Sequence, residues 1–219
     1  MKMRAFLVSV AIVAAGMAGM MVAAPAAHAL VLNITSDHCT GGCGTPPFGT
    51  VTLTQNGTTV DVDVHLNAPN FFVKTGSVDF MAFKFNAVDV VKADITVNQN
   101  APKPLAVENG FFNGDGTGAF AFGIDCPTCG GGASDKFNSD IIFHVANAVI
   151  NDLLHTNNLG NIFVADIIGS TQNTGPVDVT EGGVGGSIII TPEPATLLLL
   201  GSGLLGLGLV GGVRRLRRK

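Results

Sequence analysis

The chain has 219 residues, with 16 acidic against 12 basic side chains, 14 phenylalanines, and neither tryptophan nor tyrosine. Seven of the basic residues cluster at positions 2–4 and 214–219, so residues 30–191 hold five lysines, fifteen Asp or Glu and a net charge of about −10. Such a surface repels nucleic acid and anionic lipid and attracts cations, and with Phe as the only aromatic platform a dedicated sugar-stacking module is disfavoured.

At the N-terminal side, Lys2 and Arg4 precede an apolar segment, Ala5–Val22, and Ala26-Ala27-His28-Ala29 places small residues at the two positions that a signal peptidase reads. This is the layout of a secretory signal, with cleavage expected after Ala29. Residues 1–29 are thus expected to be a signal peptide and residues 30–190 one exported domain, since that length usually forms a single core.

Within the exported part the dominant period is two. In "FGTVTLTQNGTTVDVDVHL", Phe48–Leu66, Val51 and Leu53 alternate with Thr, and Val60, Val62, Val64 and Leu66 alternate with Asp61, Asp63 and His65. Asn56-Gly57 between the two runs predicts an antiparallel hairpin with one wet face. Further strands are predicted at Ser77–Phe85, Val88–Val97, Ala119–Ile124, Asp140–Val145, Ile162–Ile168 and Ser187–Ile190, each bounded by Gly, Asn, Asp or Pro, with one short helix near Ala146–His155. Short strands separated by turn signals point to an antiparallel β-sandwich rather than a parallel α/β sheet. The expected fold class is therefore all-β, an antiparallel β-sandwich with at most one short helix, plus an N-terminal signal helix and a C-terminal transmembrane helix.

Two cysteine pairs, Cys39-x3-Cys43 and Cys126-x2-Cys129, are the most suggestive cluster. Four thiolates in two short knuckles can hold tetrahedral zinc, but an oxidising exported compartment favours disulfides. Pairing within each cluster, Cys39 with Cys43 and Cys126 with Cys129, closes the smallest loops, and Gly41 and Gly42 loosen the first. Pairing across the clusters remains open as the alternative. Asn113-Gly114-Asp115-Gly116-Thr117-Gly118 has the alternation of a calcium loop without its third acidic ligand or closing Glu, and reads better as a hairpin turn. Asp61, Asp63 and His65 share one strand face, where a metal or acid–base site competes with an ordinary solvated surface. His144 and His155 have no visible Ser or Cys partner, and no nucleophile elbow, phosphate-binding loop or zinc-protease motif occurs. No catalytic residue, metal or cofactor is expected.

Residues 191–219 follow a different logic. Pro192-Glu193-Pro194 removes two amide donors and resists strand or helix. Ala195–Val213 is then 19 residues without a charge, which as a helix at about 1.5 Å per residue covers roughly the hydrocarbon thickness of a bilayer. Arg214, Arg215, Arg217, Arg218 and Lys219 form a basic membrane stop that puts this end inside and the domain outside.

These three parts, in this order, resemble the PEP-CTERM sorting domain of Gram-negative bacteria that make extracellular polysaccharide. The resemblance implies recognition and processing by an exosortase, a membrane cysteine protease-transpeptidase, so the chain would be a substrate of that enzyme. The exported part is similar to a group of PEP-CTERM proteins without assigned activity, through "CTGGCGTPPFGTVTLTQ", "FVKTG", "GFFNGDGTGAFAFGIDCPTCGGG" and "FVADIIGSTQNTGPV". That likeness implies a secreted all-β domain and brings no catalytic residues with it.

The expectation is a non-enzymatic cell-surface or matrix protein with a structural or adhesive role. It would be exported through the inner membrane, held briefly through residues 195–213, then released to the surface or medium. Signal peptidase and exosortase are the expected processing partners, extracellular polysaccharide is a further candidate partner, and nucleic acid is excluded. The rival expectation is a secreted carbohydrate-active or other hydrolase on a β-sandwich, which needs two carboxylates converging in a cleft.

Overall fold

The structure, a computed structural model, describes residues 28–75, 80–99, 103–180 and 188–190, and all of them belong to one compact unit, Ala27–Thr191. The elements in chain order are β1 (His28–Ile34), β2 (Ser36–Asp37), β3 (Gly49–Asn56), β4 (Thr59–Leu66), β5 (Phe71–Lys74), β6 (Met81–Phe85), a 3-10 turn at Lys92–Asp94, β7 (Ile95–Val97), β8 (Ala106–Asn113), β9 (Ala119–Asp125), β10 (Gly132–Phe137), β11 (Ile141–Ala146), α1 (Ile150–Leu153), β12 (Asn161–Ile168), β13 (Thr174–Thr180) and β14 (Ile188–Ile190). Every strand pair among them is antiparallel. The fold is all-β with one short helix, as expected. The expected signal helix and transmembrane helix, Pro192-Glu193-Pro194 and the five basic residues of 214–219 lie outside the described residues, among which no helix is long and apolar enough to cross a membrane.

The strands form two sheets. The first has the order β14-β1-β3-β4-β11-β7. The second runs β10-β5-β12-β6-β9-β8, with β13 on the other edge of β12 and β2 beyond β13. One edge of β12 is shared in tandem: β5 pairs with Ile167 and Ile168, and β6 pairs with Phe163 to Ala165.

Alternation decides what enters the core. On β4 the side chains of Val60, Val62, Val64 and Leu66 are buried, while Asp61, Asp63 and His65 face out across Thr54, Thr52 and Thr50 of β3. The two sheets meet through phenylalanine. Phe143 of β11 lies 5.1 Å from Phe85 and 6.1 Å from Phe83 of β6, and Phe83 stacks on Phe163 of β12 at 5.8 Å. Offset contacts at such spacings add to the burial of the rings themselves. This is a sandwich-like arrangement with one apolar core between facing sheets.

The hairpin at β3–β4 is present, one residue further on than the Asn-Gly pair suggests. Asn56 pairs with Thr59, so Gly57 and Thr58 make the turn, and Gly57 takes the first central position with φ +62. That position in a two-residue hairpin loop is one that glycine fills without a steric cost.

The strand predicted over Val88–Val97 is shortened to β7. Asp89 has φ +57, and Asp94 accepts from Val91 N through its side chain, which closes a 3-10 turn where the sequence suggested extension. The predicted helix over Ala146–His155 contracts to the single turn α1, with Asp152 accepting from Val149 N. Strands β1, β2, β5, β8, β10 and β13 were not predicted. β13 was concealed by Gly175 and Pro176, which read as a turn; Pro176 fits because it faces Asp166 in a ladder whose other side is only briefly paired. β1 begins at His28, two residues before the expected cleavage point.

The loop holding Cys39 and Cys43 is pressed against the β12–β13 turn. A Cβ added at Gly169 would fall on the carbonyl oxygen of Cys43. Gly169→Ala is therefore expected to lower stability by about 1–3 kcal/mol, the cost of overpacking against rigid backbone. Gly131→Ala, where the nearest atom is Phe80 Cε1 at 3.9 Å, should change it by less than about 0.5 kcal/mol. Urea midpoints of the two variants against the parent chain check both values.

Candidate functional site

The outer face of the first sheet gathers the polar residues that the sequence singled out. β4 supplies Asp61, Asp63 and His65; β11 supplies His144, and Asp140 immediately precedes it. Register sets the pairs: His144 stands opposite Asp61, and its Nδ1 donates to Asp61 Oδ1 at 2.6 Å. His65 Nδ1 donates to Asp140 Oδ1 at 2.8 Å. These pairs are well exposed, at 43% and 34% for the first and 54% and 37% for the second, so each contributes at most about 1 kcal/mol.

Asp63 lies between the pairs on the same face. One carboxylate oxygen, Oδ1, is buried without a hydrogen-bond partner. Burial pushes the Asp63 carboxyl above its ordinary value, the neighbouring Asp140 raises it further, and His65 acts in the opposite direction. The face thus offers two His–Asp pairs and one carboxyl biased towards its protonated form, on an open sheet surface.

A cation would require these atoms to converge, and they do not. Among the described residues, Asp37, Cys39 and Cys43 form the one group of three or more potential ligands with its atoms within 4.8 Å of one another. Both of its sulfurs are consumed in a disulfide, which leaves no thiolate for a metal.

Cysteine pairing is local in both clusters. Cys39 bonds Cys43, and Cys126 bonds Cys129. The first loop is shaped by the Asp37 carboxylate, which accepts from Cys39 N at 2.9 Å and from Cys43 N at 2.8 Å. Gly41 and Gly42 take φ +86 and +78, values that suit glycine. Gly42 O then accepts from Thr171 Oγ1 at 2.6 Å and Asn173 Nδ2 at 2.9 Å, which docks the loop on the β12–β13 turn. At the second loop Lys74 Nζ donates to Cys126 O at 3.0 Å and lies 2.9 Å from Asp125 Oδ1.

Asn113–Gly118 is the β8–β9 hairpin connection. Gly114 N donates to Gly118 O and Thr117 N to Gly114 O. Asn157 and Asn161 both donate to Thr117 O, at 2.6 and 2.8 Å. That carbonyl is therefore spent on holding the turn to the residues around the start of β12. His155 forms no part of the groupings above.

The structure also assembles a trio that sequence reading missed: Ser36, His38 and Asp178. Ser36 Oγ is 3.0 Å from His38 Nε2, and Asp178 Oδ2 is 2.8 Å from the same nitrogen. A Ser–His–Asp relay needs the hydroxyl and the carboxylate on different ring nitrogens, so that the imidazole can accept from one while donating to the other. Here one nitrogen meets both, and the arrangement fastens β2 to β13. Burial raises the Asp178 carboxyl, opposed by the His38 charge. The signal was Ser36-x-His38, an i, i+2 pair at and just past β2; its partner Asp178 lies 140 residues beyond His38, out of the reach of local pattern.

Because the folded Asp63 carboxyl is raised above its unfolded value near 4, the native state binds more protons than the unfolded chain between the two. Its contribution is fully present below the unfolded value and is lost as pH rises through the folded one. Asp63→Asn should flatten that part of the stability–pH curve relative to the parent chain, read from denaturant midpoints between about pH 3 and 7. No family model, no curated protein and no solved structure matches the chain, so its functional reading rests on its own residues.

Proposed function

We propose that the chain is an exported cell-surface or extracellular-matrix protein of structural or adhesive role, processed by an exosortase at its sorting signal. The observation that carries this reading is the succession of Pro192-Glu193-Pro194, the uncharged Ala195–Val213 span and the basic residues Arg214, Arg215, Arg217, Arg218 and Lys219. A rigid, amide-poor triplet at the membrane boundary is accessible to a protease in a way that regular structure is not. The chain would be exported through the inner membrane of a Gram-negative bacterium after signal-peptide removal, anchored transiently through residues 195–213, then handed to the surface or medium.

Two features of the domain support the reading. Both disulfides suit an oxidising compartment. The second is the setting of the named aspartates: Asp61, Asp63 and Asp140 lie on an open sheet face, while the buried Asp166 and Asp178 face Lys84 and His38. Glycoside hydrolysis wants two carboxyl groups across a substrate cleft. Extracellular polysaccharide is the partner class proposed for the acidic exterior, with cations bridging the two.

Mass spectrometry of the protein recovered from the medium of its native host should find a species without the Arg214–Lys219 segment. Replacing Pro192, Glu193 and Pro194 together by Ala should retain the chain in the membrane fraction with that segment intact. An unprocessed tail on the secreted protein would overturn the proposal.

A further inference from the structure

β6 reads Met81-Ala82-Phe83-Lys84-Phe85, a lysine between two phenylalanines, and all five residues are buried. Phe83 and Phe85 point into the core between the sheets, so alternation sends Lys84 to the opposite face of the second sheet. There it meets Asp166 of β12. Lys84 pairs in register with Val164, which makes Asp166 its diagonal neighbour two residues along the same face. The Lys84 ammonium nitrogen is 3.2 Å from Asp166 Oδ2, and both side chains are fully buried, at 0% exposure.

The pair is poorly solvated by the protein. Asp166 Oδ1 is buried with no hydrogen bond of good geometry, and the buried Thr75 hydroxyl beside the carboxylate gives it only weak support. An ion pair held this way bears the desolvation of two charges with only part of the compensating hydrogen bonding. Moving one proton from the ammonium to the carboxylate removes both charges at no net proton cost. Burial drives the Asp166 carboxyl upward in the same direction, opposed by Lys84 and the Thr75 hydroxyl, with Asp115 adding to the rise. The second buried lysine differs in its surroundings: Lys74 and Asp125 keep 10% and 18% exposure, and Lys74 Nζ also donates to Cys126 O.

A neutral amine against a neutral carboxylic acid, held by two adjacent strands in a dry site, is the pair of species that forms an amide, at the high effective concentration of an intramolecular reaction. We propose that Lys84 and Asp166 condense to an intramolecular isopeptide bond that staples β6 to β12. In the step, the Nζ lone pair attacks Asp166 Cγ and the N–C bond forms. One Nζ proton then passes to the departing hydroxyl oxygen, and the C–O bond breaks as water leaves. No oxidant, reductant or activating group is consumed. The product keeps one N–H and one carbonyl, and the unpartnered second carboxylate oxygen is gone. The bond closes a loop between residues 82 positions apart, independent of both disulfides.

The test needs only the parent protein. The full chain is purified with its disulfides intact, incubated folded, then denatured, reduced and digested with a lysine-specific protease. A free Lys84 is cut and an acylated one is not. The expected result is loss of cleavage after Lys84 and a branched peptide joining the segments around Lys84 and Asp166, lighter than their sum by one water. Asp166→Asn should give the same branched peptide with loss of ammonia instead, and Lys84→Ala should give linear peptides alone. Complete cleavage after Lys84 in the parent chain, with no branched species, overturns the proposal whatever the variants do.

Discussion

Contact between phenylalanines of the two facing sheets is the constraint on which most of this structure depends. Phe143 from one sheet packs on Phe83 and Phe85 from the other, and Phe83 and Phe85 in turn lie beside Phe163 and Phe122. With no Trp or Tyr in the chain, these rings supply the largest apolar volumes available to join the layers. Because strands present alternate residues to opposite faces, fixing Phe83 and Phe85 inward also fixes where Lys84 must go. The core thereby places a lysine on a buried outer face, and Asp166 of β12 answers it. A one-residue slip of β6 would put the lysine into the aromatic core and take both rings out of it.

The polar groups divide according to how much water they retain. On the first sheet, Asp61 with His144 and Asp140 with His65 are exposed pairs whose energetic worth is small. On the second sheet, Asp166 and Asp178 are fully buried, the first facing the Lys84 ammonium group and the second the His38 ring. The consequences of charge therefore concentrate on the second sheet, whereas the charged groups of the first are solvated. The two disulfides add local rigidity. The Cys39–Cys43 loop is additionally wired to the β12–β13 turn through Gly42 O, which couples residues more than 120 positions apart.

Legibility in the sequence followed the range of the signal. The β3–β4 hairpin was readable because its evidence is local: two alternating runs and a glycine with a positive φ between them. β12 was readable as an apolar run, Ile162–Ile168, interrupted only by Asp166. β13 was not, since Gly175 and Pro176 signal a turn and only pairing with β12 and β2 overrides them. β8 and β10 carry Asn, Gly, Ser and Asp at positions where a lone strand would be unfavourable, and become strands through their neighbours. The Ser36–His38–Asp178 trio and the Lys84–Asp166 pair stayed invisible for the same reason, as both join residues that only strand pairing brings together.

By itself the amino-acid sequence determined the all-β class, the hairpin, the acidic balance and the presence of two close cysteine pairs. Each of these is written in neighbouring residues, through a period of two, a turn residue, a charge count or a short spacing. The tertiary structure decided strand order, the sharing of one β12 edge by β5 and β6, and which polar residues lose their water. Those properties depend on contacts between segments far apart in the chain, and burial is a collective result of packing that no single stretch of sequence encodes.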